Sequence, residues 1–329
     1  MPLFSRAWPA LTLCFLAALQ GCGSKPKQAQ AADRIAPDGA PALDLASKPQ
    51  LLFQVFGDRD NQRMAPLAAV VKGVIKPIGL TPSGWRTLDS VYFSPGAKYP
   101  VYNDGVEVGE VVVTRGMWTN GGKTLYPLEG CTALRPLAAV KITIKQAQTD
   151  PYAELVASST PLAQRGPFKG KVPSDSEIAG IGREFGRGIA RTARIPASEL
   201  DSLDFHARLL VTGAASEPTL LVSFIDPNAG DLGPGTGHTT HLFALGEKTG
   251  ATYEPTYRHS VSGDGKTVEF QRIIDHLDVS GSGVDDLILE AWRYGAENDL
   301  LVLSYRAGRW RETVRAKQSY CLDAVSPQP

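Results

Sequence analysis

The chain predicts a mainly β protein: a small N-terminal β barrel or sandwich, then one helix, then a C-terminal antiparallel β-meander or propeller-like blades. Three observations carry this reading. Short runs rich in β-branched and aromatic residues recur at strand length. Turn signals separate them, in a sequence that contains 33 glycines and 24 prolines. The clearest helical spacing of apolar residues occurs once, between residues 174 and 195.

The elements follow in order. Residues 22–49 are rich in Ala, Pro, Gln and Lys and have little to bury, so they read as a disordered tether. Residues 50–147 carry the runs LLFQVF, GVIKPIGL, SVYFS, EVGEVVVTRGMW, TLYPL and AAVKITIK, broken by Asn103-Asp104-Gly105 and Asn120-Gly121-Gly122. These predict a small β domain. Residues 148–173 are interrupted by prolines and read as a linker, within which Tyr152 to Val156 could add a short element.

The last predicted domain, 174–325, opens on the helix. Ser174 and Glu177 match a capping box, and Ile178, Ile181, Phe185, Ile189 and Ala193 share a face. Arg183, Arg187, Arg191 and Arg194 form a basic stripe expected to be a solvated face, while Gly182 and Gly186 suit close packing on a sheet. The Gly180, Gly182 and Gly186 spacing is not a dinucleotide loop, because no strand precedes it and the glycines lie inside the helix. Eight strand candidates then run from FHARLLVTG to RWRETV, with Gly263-Asp264-Gly265 and Ala307-Gly308 as hairpin turns.

The first residues carry a targeting pattern. Arg6 is followed by an uncharged run from Ala7 to Leu19, shorter than the roughly 20 residues a membrane span needs. Leu19-Gln20-Gly21-Cys22 then resembles the bacterial lipobox, with Gln20 where that family more often has a small residue. The resemblance implies a signal peptide over 1–21, cleavage before Cys22, and lipid on the Cys22 sulfur and the new amino terminus, a multi-chain anchor that holds stably. Gly23, where an inner-membrane signal would have Asp, implies an outer-membrane destination facing the periplasm. Of the four cysteines, Cys14 would leave with the signal and Cys22 would take lipid. Cys131 and Cys321 are then expected to form a disulfide in that oxidising compartment, the alternative being two separate buried thiols.

Charge excludes one class of partner. Lys+Arg and Asp+Glu both total 34, which gives no basic footprint for nucleic acid.

One loop invites a metal argument. Asp278, Ser280, Ser282, Gly283 and Asp286 stand in an order that resembles the calcium loop of FG-GAP repeats, which build propeller blades. The resemblance implies ligands at Asp278, Ser280, Ser282 and Asp286, a turn at Gly283, and a strand from Leu287 to Trp292. Ser280 and Ser282 replace the usual Asp or Asn, and calcium affinity tracks ligand charge. The expectation is a loop that keeps its turn and binds calcium weakly if at all. A more decayed copy is conceivable around Asp226, Asn228 and Asp231.

Enzyme signatures are missing. The chain has no Gly-x-Ser-x-Gly elbow and no His-Glu-x-x-His. Gly122-Lys123-Thr124 and Gly265-Lys266-Thr267 lack the upstream glycine of a phosphate loop and read as turns, and Asp58-Arg59-Asp60-Asn61 reads as a polar turn. His238 and His241, near Asp226 and Asp231, form a conceivable metal pair, though a catalytic zinc takes three ligands plus water. Asp285 and Asp286 are an acid–base pair only if geometry makes them one. The sequence therefore favours a non-catalytic envelope lipoprotein, a tethered binding or scaffold module for a protein or glycan partner. The alternative is a periplasmic hydrolase with a site assembled from the C-terminal histidines and carboxylates.

Overall fold

A computed structural model describes residues 43–57, 61–80, 82–116, 137–145, 154–229, 237–294 and 298–318. The protein is mainly β, with a six-stranded barrel, a principal helix and two C-terminal antiparallel sheets. Cys22, Cys131, Cys321, Asp231 and the TLYPL run lie outside the described residues.

The first strands are β1 (Gln50–Phe56), β2 (Arg63–Val71) and β3 (Val74–Lys76). Helix α1 (Pro82–Tyr92) follows, then β4 (Lys98–Asn103), β5 (Val106–Gly116), β6 (Ala138–Ile144) and β7 (Leu155–Ser158). The strands pair in the order β1-β7-β4-β5-β6-β2, and β1 pairs again with β2 to close the barrel. Alternation along β1 sends Leu51, Phe53 and Val55 inside, while Leu52 faces out yet is also buried.

Two sequence expectations change here. The run SVYFS, read as a strand, is the end of α1 and the residues after it. Trp85, Leu88 and Tyr92 fall at helical spacing and pack into the barrel core, and that burial outweighs the β propensity of Val91, Tyr92 and Phe93. The stretch read as a linker supplies β7, which overlaps the short element expected at Tyr152 to Val156, is shifted towards Ser158, and fills the gap between β1 and β4. Ordered structure also begins before residue 50, where a 3-10 turn (Leu45–Ser47) capped by Asp44 puts Leu45 into the barrel core.

The C-terminal half is built from helices α2 (Asp175–Ala193) and α3 (Ala197–Leu200), then eight strands. These are β8 (Asp204–Leu210), β9 (Thr219–Ile225), β10 (His238–Thr249) and β11 (Thr252–Asp264), followed by β12 (Phe270–Leu277), β13 (Asp286–Trp292), β14 (Asn298–Arg306) and β15 (Arg309–Gln318). They form two sequential meanders, β8 to β11 and β12 to β15. The capping box at Ser174 and Glu177 is present, and burial drives Ile178 and Ile189 onto the first meander.

Packing stacks these pieces in four layers. The outer face of the barrel (Leu52, Leu67, Tyr102, Val156) covers one face of β12–β15 through Ile274, Ile288, Leu300 and Val302. The other face of that sheet (Leu287, Leu289, Leu301, Leu303) meets Leu221, Phe243 and Leu245 of the first meander. Helix α2 covers the far side of the first meander at Val222, Phe224 and Leu242. Strands β12, β13 and β14 are thus buried on both faces, which explains why β13 and β14 read as continuous apolar runs rather than alternating ones, while the outer strand β15 keeps exposed residues along its length.

Ile288 sits fully inside the layer between barrel and sheet. Ile288→Ala removes apolar atoms from a site that packing on both sides prevents from collapsing. We expect a loss of about 2–5 kcal/mol in denaturant unfolding. A loss below about 1 kcal/mol would mean that barrel and sheet do not share a core there.

Candidate functional site

A cleft opens where the two meanders part. Between β8 and β9 on one side and β12 on the other is a cleft of about 680 Å³, floored by Leu221, Phe243 and Ile273 and reaching Trp292. Among the described residues, every charged side chain in its wall is an arginine: Arg183 from α2, Arg208 from β8 and Arg272 from β12. His206, Ser223 and Gln271 add polar groups.

Each arginine is placed by something specific. Gly182 and Gly186 let α2 approach the sheet so closely that a Cβ on Gly182 would stand 2.7 Å from the Ala207 Cβ, and one on Gly186 2.4 Å from the Phe224 ring. That approach sets Arg183 above the Phe205 ring at 4.2 Å, a cation–π arrangement. The expected basic stripe is therefore divided: Arg183 joins the cleft, whereas Arg187 pairs with Asp201 at 3.2 Å on the surface. Arg208 donates to Asp104 at 3.0 Å, tying β8 to a barrel turn. Arg272 donates to Glu154 at 2.6 Å and to Glu290, and lies 5.7 Å from the Trp292 ring. Burial and these carboxylates act on Arg272 in opposite directions, and the carboxylates prevail to hold it charged.

The histidines do not converge. Residues three apart on a strand point to opposite faces, and β10 shows the consequence: His238 is exposed whereas His241 is fully buried. His238 Nε2 lies 3.1 Å from Glu199 Oε1 and 2.9 Å from Ser262 Oγ, and Thr240 also bonds to Glu199. A Ser–His–carboxylate relay needs its serine and its carboxylate on different ring nitrogens. Here both sit on Nε2, so the trio is a surface polar cluster. Its hydrogen bonds lower the Glu199 pKa despite a small burial cost, with Thr240 contributing most.

His241 has a structural task. The Gln271 backbone N–H donates to its Nε2 at 2.9 Å, so its Nδ1 carries the proton and donates to the Phe224 carbonyl at 3.1 Å. The neutral ring thereby joins the two meanders beside the cleft. Burial, aided by nearby His259, lowers its pKa to about 3. His259 donates from Nε2 to the Glu269 carbonyl at 2.8 Å and is also lowered by burial. Glu269 itself is held near 2 by Gln271, Arg315 and Arg293, against the opposing effect of burial.

His276 belongs to a third, buried cluster at the barrel junction. Its Nδ1 lies 2.6 Å from Asp285 Oδ2, and Asp285 Oδ1 accepts from Arg165 at 2.6 Å. Adjacent Asp275 accepts from the His276 amide at 2.7 Å and the Gly105 amide at 3.1 Å, with burial raising its pKa to about 6. Gly105 has φ +75° and stands so close that a Cβ would lie 2.9 Å from the imidazole. The Asn103-Asp104-Gly105 signal thus marks the hairpin that docks the barrel onto β12. Asp285 and Asp286 diverge as strand neighbours do, Asp286 turning to Ser304 with its pKa raised by burial. They are not an acid–base pair.

The loop from Asp278 to Asp286 folds onto itself. Asp278 Oδ1 accepts from the Ser282 amide at 3.0 Å and from Ser280 Oγ at 3.2 Å, while Oδ2 accepts from the Gly283 amide at 2.7 Å. Asp278, Ser280 and Ser282 are together, but Asp286 is drawn to β14 by Ser304. Among the described residues, no group of three or more His, Cys, Asp or Glu side chains is placed to hold a metal. Sequence reasoning missed the cleft itself. Its only signals were Arg183 inside the basic stripe, Trp292 and the two close-packing glycines.

The His241 link predicts an acid-sensitive fold. The unfolded chain takes up this proton near pH 6.5 and the folded chain only near pH 3, so protons favour unfolding between those values. The contribution is intact above pH 6.5 and is lost as pH falls. From pH 7 to 5 this one group should remove about 2 kcal/mol. Denaturant unfolding of the protein and of His241→Asn checks it: the variant should lose less stability over that interval, and an equal loss would refute the assignment. The chain matches no protein-family model, no curated protein and no solved structure at a significant level.

Proposed function

We propose that this protein is a lipid-anchored module of the bacterial envelope that binds a partner in the cleft between its two meanders and performs no chemistry on it. Cys22 holds it to the outer membrane on the periplasmic side, and the Pro- and Ala-rich stretch after it gives the folded body reach. The observation that carries the reading is the cleft: about 680 Å³, an apolar floor, aromatic walls and a rim whose charges, among the described residues, are all arginine. That volume lies within the usual range for ligand sites, about 300–1,000 Å³, and an apolar floor with a few placed polar groups is their usual construction. The histidine–carboxylate groupings outside it support binding over hydrolysis, since one is tied up at a single ring nitrogen and another is buried away from solvent.

Trp292 reports on this site. Titration of the full-length protein with separated peptide and glycan fractions of an envelope should give a saturable change in tryptophan emission with one fraction. The change should vanish in Trp292→Phe, and the fraction should be recovered unaltered. Cleavage of the fraction during incubation, or a change that persists in Trp292→Phe, would contradict the proposal. In cells, Cys22→Ser should move the protein from the membrane to the soluble fraction. Unchanged membrane fractionation of that variant would remove the anchor from the account.

A further inference from the structure

Strand β8 is the last strand of its sheet and pairs only with β9. Among the described residues, nothing hydrogen-bonds to the backbone along its other edge. An unpaired edge is a template for another strand, and proteins usually cover or blunt it. This edge runs through the cleft. Phe205 and Ala207 line it from the α2 side of the strand, and His206 and Arg208 from the inter-sheet side, so the opening wraps round β8 rather than lying on one face.

The charges flank that edge on both sides. Arg183 stands on the α2 side with no carboxylate partner among the described residues, its guanidinium lying over Phe205 at 4.2 Å. Arg208 spends only Nη1 on Asp104, and the hydrogen bonds of Arg272 come from Nε and Nη2, which leaves N–H groups of both available in the wall. Among the described residues, no carboxylate lines the cleft. A strand laid against β8 would send alternate side chains to opposite faces. Acidic residues on one of its faces would reach Arg183, and those on the other Arg208 and Arg272.

We propose that the cleft takes an extended acidic peptide segment of a partner protein, which adds to the free edge of β8 as a fifth strand of the first meander. This rests on the reading of the cleft as the binding site. Main-chain hydrogen bonds to β8 supply affinity, and the arginines and the apolar floor select the side chains. At about 3.4 Å per residue, the seven residues of β8 would match a segment of roughly 5–7 residues. A small acidic amphiphile would fit the charges and the floor but would leave the β8 edge unpaired, and for that reason the peptide is preferred.

The test uses the full-length protein and a fluorescein-labelled heptapeptide of alternating glutamate and valine, whose glutamates would share the Arg183 side and whose valines would share the side of the apolar floor, read by anisotropy. Saturable binding is expected. It should weaken about tenfold or more when alternate peptide amides are N-methylated, since these cannot donate to β8 and the bulk also obstructs the ladder. It should also weaken several-fold, about 3- to 10-fold, in Arg183→Gln, a solvent-side change that leaves the sheet intact. The lysine–valine counterpart should not bind. Equal binding of the N-methylated and lysine peptides would overturn the proposal, as would no binding of the glutamate peptide. Dodecanoate separates the two levels of the account. If dodecanoate alone binds and shifts the Trp292 emission, the strand proposal fails while the cleft remains a binding site. If neither probe binds and no envelope fraction shifts that emission, both fail.

Discussion

The structure depends on one sheet whose inner strands have no solvent face. β12–β15 is pressed between the barrel and the first meander, and residues of alternate parity along β13 and β14 serve two different cores. Fully burying an aliphatic side chain contributes about 1.5–3 kcal/mol relative to exposure, so the two faces of this sheet outweigh any surface ion pair in the molecule. Backbone groups in such a layer have no water to turn to, and the sheet ladder must satisfy them. The barrel closes on itself and could in principle stand alone, but its outer face at Leu52, Leu67 and Val156 would then be apolar and wet.

Where the layers meet, polar groups fix their position. His241 accepts from the Gln271 amide across the two meanders, and Trp310 donates to the buried Glu247 at 2.8 Å, which also accepts from Thr219. Arg165, Asp285 and His276 join the loop after β7 to the second meander, with the Gly105 turn seated on the imidazole. A buried ion pair stabilises little in net terms, because desolvation opposes the Coulomb attraction, but it penalises every register that leaves one charge unpaired. These groups account for the histidines and acids that would otherwise suggest catalysis. The cleft is what remains where the sheets part, and its arginines are held by Phe205, Asp104, Glu154 and Glu290 rather than by each other.

Much of this was legible in the residues. The eight C-terminal strands and the α2 capping box follow from short β-branched and aromatic runs, turn chemistry and the Ser174–Glu177 spacing. Gly182 and Gly186 announced a helix lying close on a sheet. Other features were hidden because tertiary burial decides them. The end of α1 looks like a strand until the barrel core claims Trp85, Leu88 and Tyr92. β7 is only four residues long and hides in a proline-rich stretch, yet it completes the barrel. The cleft is assembled from α2, β8, β9, β10, β12 and β13, elements more than a hundred residues apart at the extremes, so no local pattern marks it. The opposite fates of His238 and His241 follow from strand periodicity once the strand is known, and the divergence of Asp285 and Asp286 follows in the same way.

Strands β12, β13 and β14, buried on both faces, hold the barrel and the first meander together, and one sheet edge stays open at the cleft. Native-state hydrogen exchange of the full-length protein, resolved by segment, tests both halves of this arrangement. The account predicts the slowest exchange in β13 and β14, with barrel strands β1 and β2 opening in the same cooperative unit, and faster exchange in β8 than in its neighbour β9. Equal protection of β8 and β9, or a barrel that exchanges independently of β13 and β14, would contradict it.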